Sequence, residues 1–475
     1  MVKNSYAGIK VLVMGLGLNG GGLESARYLA QRGAEVSVTD LRDENVLAPS
    51  IEKLEAGLKG VTIRYILGRH EMEDFEKADM VIKNPGVPPD SPYLQKAGRI
   101  ETDISLFLAA SPARLTAVTG SKGKSTTSSA LHWVLKEAHD RRILPGKAFL
   151  GGNITVSPLT FLDELEEEDD VVLELSSWQL GDVKGRIKEN GAALLKPRAA
   201  VLTAIMPDHL NRYGTMDAYI TDKRIIYQGQ DSADVTVAGD DEWGKSFRRE
   251  SKGRPLVYSA TLLPEGTNGG WLAPNDGPGL ARITNRQSIE IVPAKLLTPG
   301  YHQKMNLLSA SLALLDLGLE PDFIKESLGR FPGIEHRLEF FLESKGVRFY
   351  NDSAATIPEA AAAAIEALGS PVLVTGGTDK GLDYTPFIKS APRAKALLLL
   401  AGTGSDKIRK LLDENGIPYK GPYDSADSAA KAAMETAQKG DTVVLSPGCT
   451  SFGMFLNEFD RGNKWKEAVR KCAEA

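Results

Sequence analysis

The chain alternates short apolar runs with longer stretches in which apolar residues return every three or four positions. In the first hundred residues the runs are "IKVLVMG", "AEVSVTD" and "ADMVIKNPG", with "GLESARYLAQRG" lying at helical spacing between the first two. Strands buried on both faces and separated by amphipathic helices are the pattern of a parallel sheet built from βαβ units. "AASPARLTAVTG" breaks that pattern with Ser-Pro and places a boundary near Ser111. Alternation then resumes to about Arg330, with "DVVLELSS" and "RAAVLTAI" as buried strands. Within it, Ser251 to Gln287 is rich in Gly, Pro and Asn and is expected to form irregular hairpins or loops. After "FPGIEHRLEF" the pattern restarts as "VRFYNDS", "PVLVTGG", "AKALLLLAG" and "DTVVLSPG", with helix-like "IPEAAAAAIEAL" between the first two. The expected fold is α/β in three domains, 1–111, 112–330 and 331–475, each around a mainly parallel sheet, the last with a doubly wound look. Ligands of such sheets bind beyond the carboxyl ends of the strands, and the unusual residues of this chain lie there.

At 475 residues the chain is too long for one core, and 42% hydrophobic residues suffice for a core in each domain. A net charge of −5 and a pI near 5.9 give no basic excess, so neither nucleic acid nor a polybasic membrane patch is suggested as a partner. Two cysteines, Cys449 and Cys472, are too few for a disulfide framework or a Cys-based zinc site and fit a reducing compartment. The N-terminus runs straight into a strand pattern without a signal-peptide core, and no apolar stretch reaches membrane-spanning length. A cytoplasmic protein is expected. The acidic run "LDELEEEDD" is read as a solvated helix end.

"AVTGSKGKSTTSSALHWVL" reads as strand end, glycine turn and helix, but only two residues separate Gly120 from Gly123 where the standard phosphate loop has four. The physics survives the shortening: backbone N–H groups and the positive helix end can cup phosphate oxygens, Lys124 can reach the β and γ phosphates, and the Ser125 hydroxyl can ligate Mg²⁺. Gly15, Gly17 and Gly20 match a dinucleotide turn in outline, with Asp40 twenty residues beyond Gly20 at a strand end; alone this turn could bind any nucleotide or none. Glu174 closes an apolar strand in "VVLELSSWQL", and a carboxylate so placed needs a cation or hydrogen-bond donors, with Mg²⁺ the natural partner downstream of a phosphate loop. "MPDHLNRYGTMDAYITDK" brings Asp208, His209 and then Lys223, four residues after Tyr219 on the same helix face, with His209 a candidate second metal ligand. Later come "GYHQKMN" with Asn306, "HRLE" with Arg337, "NDSAAT" with Asp352, "GGTDKG" with Lys380 and "SPGCTSFGMF" with Ser451.

Taken together, in this order, these motifs resemble the Mur ligase family over essentially the whole chain. "LELSSWQL", "NDSAAT", "GGTDKG" and "SPGCTSF…RG" are most similar to its D-glutamate-adding member. The resemblance implies a Rossmann-like N-terminal domain, a central P-loop ATPase-like domain and a Rossmann-like C-terminal domain. It implies an ATP-dependent ligase that joins D-glutamate to UDP-N-acetylmuramoyl-L-alanine through an acyl phosphate, acting as a monomer in peptidoglycan precursor synthesis. The N-terminal domain would bind the UDP-sugar through Gly17, Leu18, Asn19 and Asp40, with Asn84 and Asn153 in matching positions. ATP would fall to Gly120, Ser121, Lys122, Gly123, Lys124, Ser125, Thr126, Asn306, Arg337 and Asp352. Thr356, Lys380 and Ser451 would meet the amino acid as the third domain closes. Ser125, Glu174, His209 and Lys223, the last as a carbamate, would hold two Mg²⁺ ions, and Lys124, Glu174, His209 and Lys223 would form the catalytic set. The chain departs from the family pattern at Ala354, Ile357, Gln303, Leu41 and Glu458, which bears on the amino-acid and uridine contacts and leaves the phosphate machinery intact. The alternatives are another amide ligase of the superfamily, a different Mur ligase or a folylpolyglutamate synthase, and a nucleotide-binding sensor without catalysis.

Overall fold

A computed structural model describes residues 5–18, 20–58, 60–154, 156–283 and 287–474. The described residues form three α/β sheets. The first has the order β3-β2-β1-β4-β5, all parallel, from β1 (Lys10–Met14), β2 (Glu35–Asp40), β3 (Arg64–Leu67), β4 (Met80–Lys83) and β5 (Ile100–Glu101). Val11 to Met14 and Met80 to Lys83 are buried throughout, as strands covered on both faces must be.

The second sheet adds β6 (Arg114–Thr119), β7 (Ala148–Gly152), β8 (Asp170–Glu174), β9 (Ala199–Leu202), β10 (Val235–Gly239) and β11 (Arg254–Ser259) in a parallel array. It extends through β12 (Gly269–Leu272), which is parallel to β11, to an antiparallel edge of β13 (Gly279–Arg282) and β14 (Ile289–Val292). The order is β14-β13-β12-β11-β10-β9-β6-β8-β7. The expectation for Ser251 to Gln287 is therefore corrected in part: β11 and β12 are regular parallel strands, and only β13 and β14 are hairpin-like. Proline and glycine in "RPLVYS" and "GGWL" obscure the strand signal, but Leu256 to Ser259 and Gly269 to Leu272 are buried. The acidic run is also corrected. Leu162–Glu164 is a single 3₁₀ turn, Glu166 to Glu168 are exposed, and the last two acids are buried. Asp169 accepts the N–H groups of Lys147 and Glu166, and Asp170 pairs with Arg114 and His139.

The third sheet, order β15-β16-β20-β17-β18-β19, is parallel except for its first strand. Its strands are β15 (Glu339–Ser344), β16 (Val347–Asn351), β17 (Val372–Thr375), β18 (Ala396–Leu400), β19 (Lys420–Tyr423) and β20 (Thr442–Leu445).

The chain divides into two compact units, Met1–Ala294 with Met305–Leu328, and Lys295–Lys304 with Gly329–Ala475. The first unit holds the first two sheets on one continuous apolar core. Phe161 is its pivot, edge-on to Phe107 at 5.9 Å and stacked on Phe149 at 5.0 Å, contacts that add about 1 kcal/mol each beyond area burial. In the second unit two cores flank the third sheet, one around Trp465 and Phe349, the other around Tyr384 and Phe387. Among the described residues no helix is long and apolar enough to cross a membrane.

Candidate active site

β6 ends in a turn, Gly120 to Gly123, from which the helix Lys124–Asp140 leaves. Two contacts explain why both ends of the turn are glycine. At Gly120 (φ 152°) a Cβ would stand 1.9 Å from the Thr203 hydroxyl oxygen, and at Gly123 (φ 91°) it would stand 2.3 Å from Asn306 Oδ1. The short loop is held from outside, by the segment that follows β9. Thr203 donates to the Lys122 carbonyl at 2.7 Å, while Ser121 Oγ donates to the Met206 carbonyl at 2.8 Å and accepts the Met206 N–H at 3.0 Å. The N-cap of the helix Lys124–Asp140 is Gly123, which offers no side-chain cap to the helix start.

Two lysines converge on one carbonyl of this loop. Lys124 Nζ donates to Gly120 O at 3.0 Å and Ser121 O at 3.2 Å, and Lys223 Nζ donates to Gly120 O at 2.8 Å. Lys223 ends the helix Met216–Lys223, 1% exposed, with its Nζ 4.5 Å from the centre of the Tyr219 ring, so the expected i, i+4 pairing on one helix face is present. Burial, and then the Lys124 ammonium, push its pKa from 10.5 down to about 7 against the pull of Asp208 and Asp222. Burial and the neighbouring ammonium thus both favour the neutral form of the Lys223 amine.

Glu174, 1% exposed at the end of β8, accepts from Asn153 Nδ2 at 2.9 Å. The Ser128 hydroxyl lies 3.4 Å from its other oxygen and 3.2 Å from the Ser125 carbonyl, which sets Glu174 one helical turn from Ser125. Ser125 and Thr126 are half-buried in the first turn of the helix Lys124–Asp140. His209 occupies a left-handed backbone position (φ 53°), uncommon for a residue with a side chain. Its imidazole is 45% exposed, 5.1 Å from the Trp178 ring and 6.2 Å from Tyr219. Asp208 holds that turn, accepting the His209 N–H at 3.0 Å and Lys122 Nζ at 3.3 Å.

Of the four candidate metal ligands, Ser125 and Glu174 carry the hard oxygens that magnesium prefers, His209 carries an imidazole nitrogen, and Lys223 would offer oxygen only as a carbamate. Among the described residues no three His, Cys, Asp or Glu side chains gather into a group that could hold a metal ion by themselves.

The first sheet carries its own polar turn. Gly17 N–H donates to Asp40 Oδ2 at 3.1 Å, Arg42 N–H to Asp40 Oδ1 at 3.0 Å, and the Ser50 hydroxyl to Gly17 O at 2.8 Å. Both Asp40 oxygens are thus spent on shaping the turn. Asn84 accepts the Gly86 N–H at 3.1 Å and reaches Gly15 O at 3.5 Å, and Leu18 is exposed. Asn19 lies outside the described residues. The glycine that packs the helix Gly21–Ala30 against the end of β1 is Gly22, where a Cβ would stand 2.0 Å from Gly15 O, whereas Gly20 is the N-cap with φ 91°.

In the second unit the predicted residues gather at the carboxyl end of the third sheet. Asp352, just past β16, accepts the Ser446 hydroxyl at 2.6 Å and the Leu338 N–H at 3.0 Å. Burial raises its pKa to about 6 despite those donors and the neighbouring Arg337. Thr356 is half-buried beside the Gly448 turn, whose N–H donates to Ala355 O at 2.9 Å. Lys380 is exposed after β17, and its loop is bridged to that of buried Ser451 through Thr378 and Thr450. Gln303 Oε1 is buried without a partner among the described residues. Sequence reasoning missed Thr203, which underlies Gly120, and gave no role to Arg461, the arginine of "SPGCTSF…RG", which is fully buried and joins Ser353 to the Cys449 carbonyl by bonds of 2.8 to 3.1 Å.

Three family profiles match in succession: the Mur ligase MurD-like N-terminal domain over residues 9–105, the Mur ligase middle domain over 118–314, and the Mur ligase glutamate ligase domain over 336–449. Curated relatives match along nearly their whole length. The UDP-N-acetylmuramoylalanine–D-glutamate ligase of Treponema pallidum is 39% identical, with 98% of each chain covered, and that of Roseiflexus is 38% identical, with 99% of each covered. The Borreliella burgdorferi enzyme of the same name is also 38% identical. Solved structures share the fold. UDP-N-acetylmuramate-alanine ligase MurC from Thermotoga maritima has a TM-score of 0.55 at 18% identity, covering 98% of this chain and 100% of its own. MurF ligase from the same organism, solved with ADP, has a TM-score of 0.51 at 17% identity, covering 100% and 97%. With a profile for each sheet domain and relatives matched over nearly all of both chains, the chain belongs to the Mur ligase family.

Proposed function

We propose that this chain is the ligase that joins D-glutamate to UDP-N-acetylmuramoyl-L-alanine with cleavage of ATP. Its domains are assigned as 1–111 for the UDP-sugar, 112–330 for ATP and magnesium, and 331–475 for the amino acid and further nucleotide contacts. The observation that carries the reading is the convergence of Lys124 and Lys223 on Gly120 O, one lysine a phosphate-loop cation and the other poised as a neutral amine. The relatives that share the activity's name at 38–39% identity support it.

The chemistry has to bring a carboxylate against a γ-phosphate, two anions. Ser125, Glu174, His209 and carbamylated Lys223 would, on this reading, hold two magnesium ions, which would supply the charge cancellation. Lys124 and the first N–H groups of its helix hold the phosphates in line as the alanyl carboxylate oxygen bonds to the γ-phosphorus and the bond to ADP breaks. Asn153 fixes the Glu174 carboxylate so that it does not reorganise during the step. The D-glutamate amine then bonds to the acyl carbon and phosphate leaves. Arg337 and Asp352 are assigned to the nucleotide, and Lys380, Thr356 and Ser451 to the incoming dicarboxylate. The enzyme is further proposed to act as a cytoplasmic monomer, which sedimentation tests.

Hydroxylamine tests the acyl phosphate. With ATP, magnesium and UDP-N-acetylmuramoyl-L-alanine but no amino acid, added hydroxylamine is expected to yield a hydroxamate of the alanyl carboxyl. Amide formation without any trappable acyl species would contradict the route.

A further inference from the structure

Within the first unit, three ion pairs among the described residues cross from the first sheet domain to the second, Arg32–Asp163, Arg186–Glu101 and Lys83–Asp182, and the last is the most buried. Lys83, the last residue of β4, donates both to Asp182 Oδ1 at 2.9 Å and to Oδ2 at 2.8 Å, with side chains 3% and 12% exposed. Lys83 precedes Asn84, which sits under the Gly15 turn. Asp182 ends the helix Ser177–Asp182, which starts three residues past Glu174 and carries Trp178. The Arg212 guanidinium lies 4.2 Å over the Trp178 ring, and its two terminal nitrogens reach the carbonyls of Pro85 and Val87 at 3.5 Å each. Arg212 is also three residues from His209, whose ring centre lies 5.1 Å from that of Trp178.

The end of β4 and the residues after it are thus tied twice to the second sheet domain, once to the helix Ser177–Asp182 through Lys83 and Asp182 and once, through Arg212, to the segment that carries His209. A buried ion pair is a poor adhesive, because desolvating both charges offsets most of their attraction; what a two-bond pair does impose is a fixed spacing. We infer that Lys83, Asp182 and Arg212 form a positioning clamp. It sets the distance between the turn that takes the uridine diphosphate end of the substrate and the His209–Lys223 end where the substrate carboxylate reacts. The inference rests on the proposed function, since only a ligand that spans both ends feels the spacing.

Two variants, Lys83→Met and the milder Asp182→Asn, are titrated with UDP, with ADP and with UDP-N-acetylmuramoyl-L-alanine. The clamp predicts UDP and ADP affinities within about twofold of wild type, and the spanning ligand weakened by about tenfold or more. The double variant Lys83→Met/Asp182→Leu, which removes both charges, is expected to recover the melting temperature but not the spanning affinity. Hydrogen exchange on the ligand-free protein gives a readout that does not depend on the substrate's identity. Faster exchange at Gly86 to Val87 and at Arg212 to Gly214 together, in all three variants, is expected. UDP weakened as much as the full substrate, lower melting with all affinities unchanged, full recovery in the double variant, or exchange unchanged at either segment would each overturn the clamp. Wild-type protein that binds ADP but not the spanning ligand would sink the functional reading instead, and the exchange measurement would then still decide the clamp.

Discussion

Arginine at position 223 tests the site where its chemistry is least ordinary. Lys223 is 1% exposed, donates to Gly120 O at 2.8 Å and sits beside the Lys124 ammonium, which together bring its pKa to about 7. Only a neutral amine can add carbon dioxide. At about pH 7.5 a lysine with its ordinary value is neutral in about one molecule in a thousand, whereas one titrating near 7 is neutral in about three of four, a gain of roughly 700-fold in reactive amine. Lys223→Arg keeps the positive charge and cannot form the carbamate, so it should lose activity nearly as completely as Lys223→Ala, by about a hundredfold or more. Wild-type protein in ¹³C-bicarbonate should show a carbamate carbon that Lys223→Arg lacks. The sign in pH follows: as pH falls through 7 the amine protonates, so activity at limiting bicarbonate should fall on the acid side and be partly restored by added bicarbonate. An arginine variant within about tenfold of wild type, or full wild-type activity with no carbamate signal, would refute the reasoning.

Lys124→Ala should cut turnover by about a hundredfold or more with the melting temperature held within a few degrees, measured by phosphate release and calorimetry, because its ammonium serves phosphate and two loop carbonyls rather than packing. Lys380→Ala should raise KM for D-glutamate roughly 10- to 100-fold and leave that for ATP within a few-fold, a loss of about 1.5–3 kcal/mol for a charge-assisted contact, read from initial rates. Asp352 holds its proton more tightly folded (about 6) than unfolded (3.8), so between those values the native state binds more protons and stability falls as pH rises. Asp352→Asn should therefore melt no lower than wild type at pH 7–8 while losing ligation, and a melting temperature that drops with pH as wild type does would contradict the assignment. Gly123→Ala should damage nucleotide affinity more than stability, since its Cβ would meet Asn306 Oδ1 at 2.3 Å in the loop itself, and titration with ADP measures it.

What the sequence discloses and what it hides follow from range. β6, β8 and β9 are read correctly because a central parallel strand needs four or five consecutive buried residues, and Ala117, Val172 and Val201 are all fully enclosed. Gly120, Lys124 and Ser125 stand out in the sequence because they fall at fixed spacing within one turn, and the structure does place that turn between β6 and the helix Lys124–Asp140. β11 is hidden by Arg254 and Pro255, which are exposed at its entrance although Leu256 to Ser259 are buried. The Lys83–Asp182 pair joins residues 99 apart, and no local pattern marks either partner. Asp40 is legible as an acid after a glycine turn, but its use of both oxygens on Gly17 and Arg42 N–H groups is a product of the folded turn. The left-handed backbone of His209 is likewise invisible in "PDHLN" and depends on the Asp208 carboxylate that holds it.

The central claim is the identity of the amino acid and of the carboxylate it joins. Phosphate release with ATP, magnesium and UDP-N-acetylmuramoyl-L-alanine, measured against D-glutamate, L-glutamate, L-lysine and meso-diaminopimelate and followed by mass analysis of the product, tests it most directly. D-glutamate alone should support rapid release and give the UDP-N-acetylmuramoyl-L-alanyl-D-glutamate mass, because inversion at the α-carbon cannot place both carboxylates and the amine at once. Preferential use of any of the other three, or release without an amide product, would contradict it.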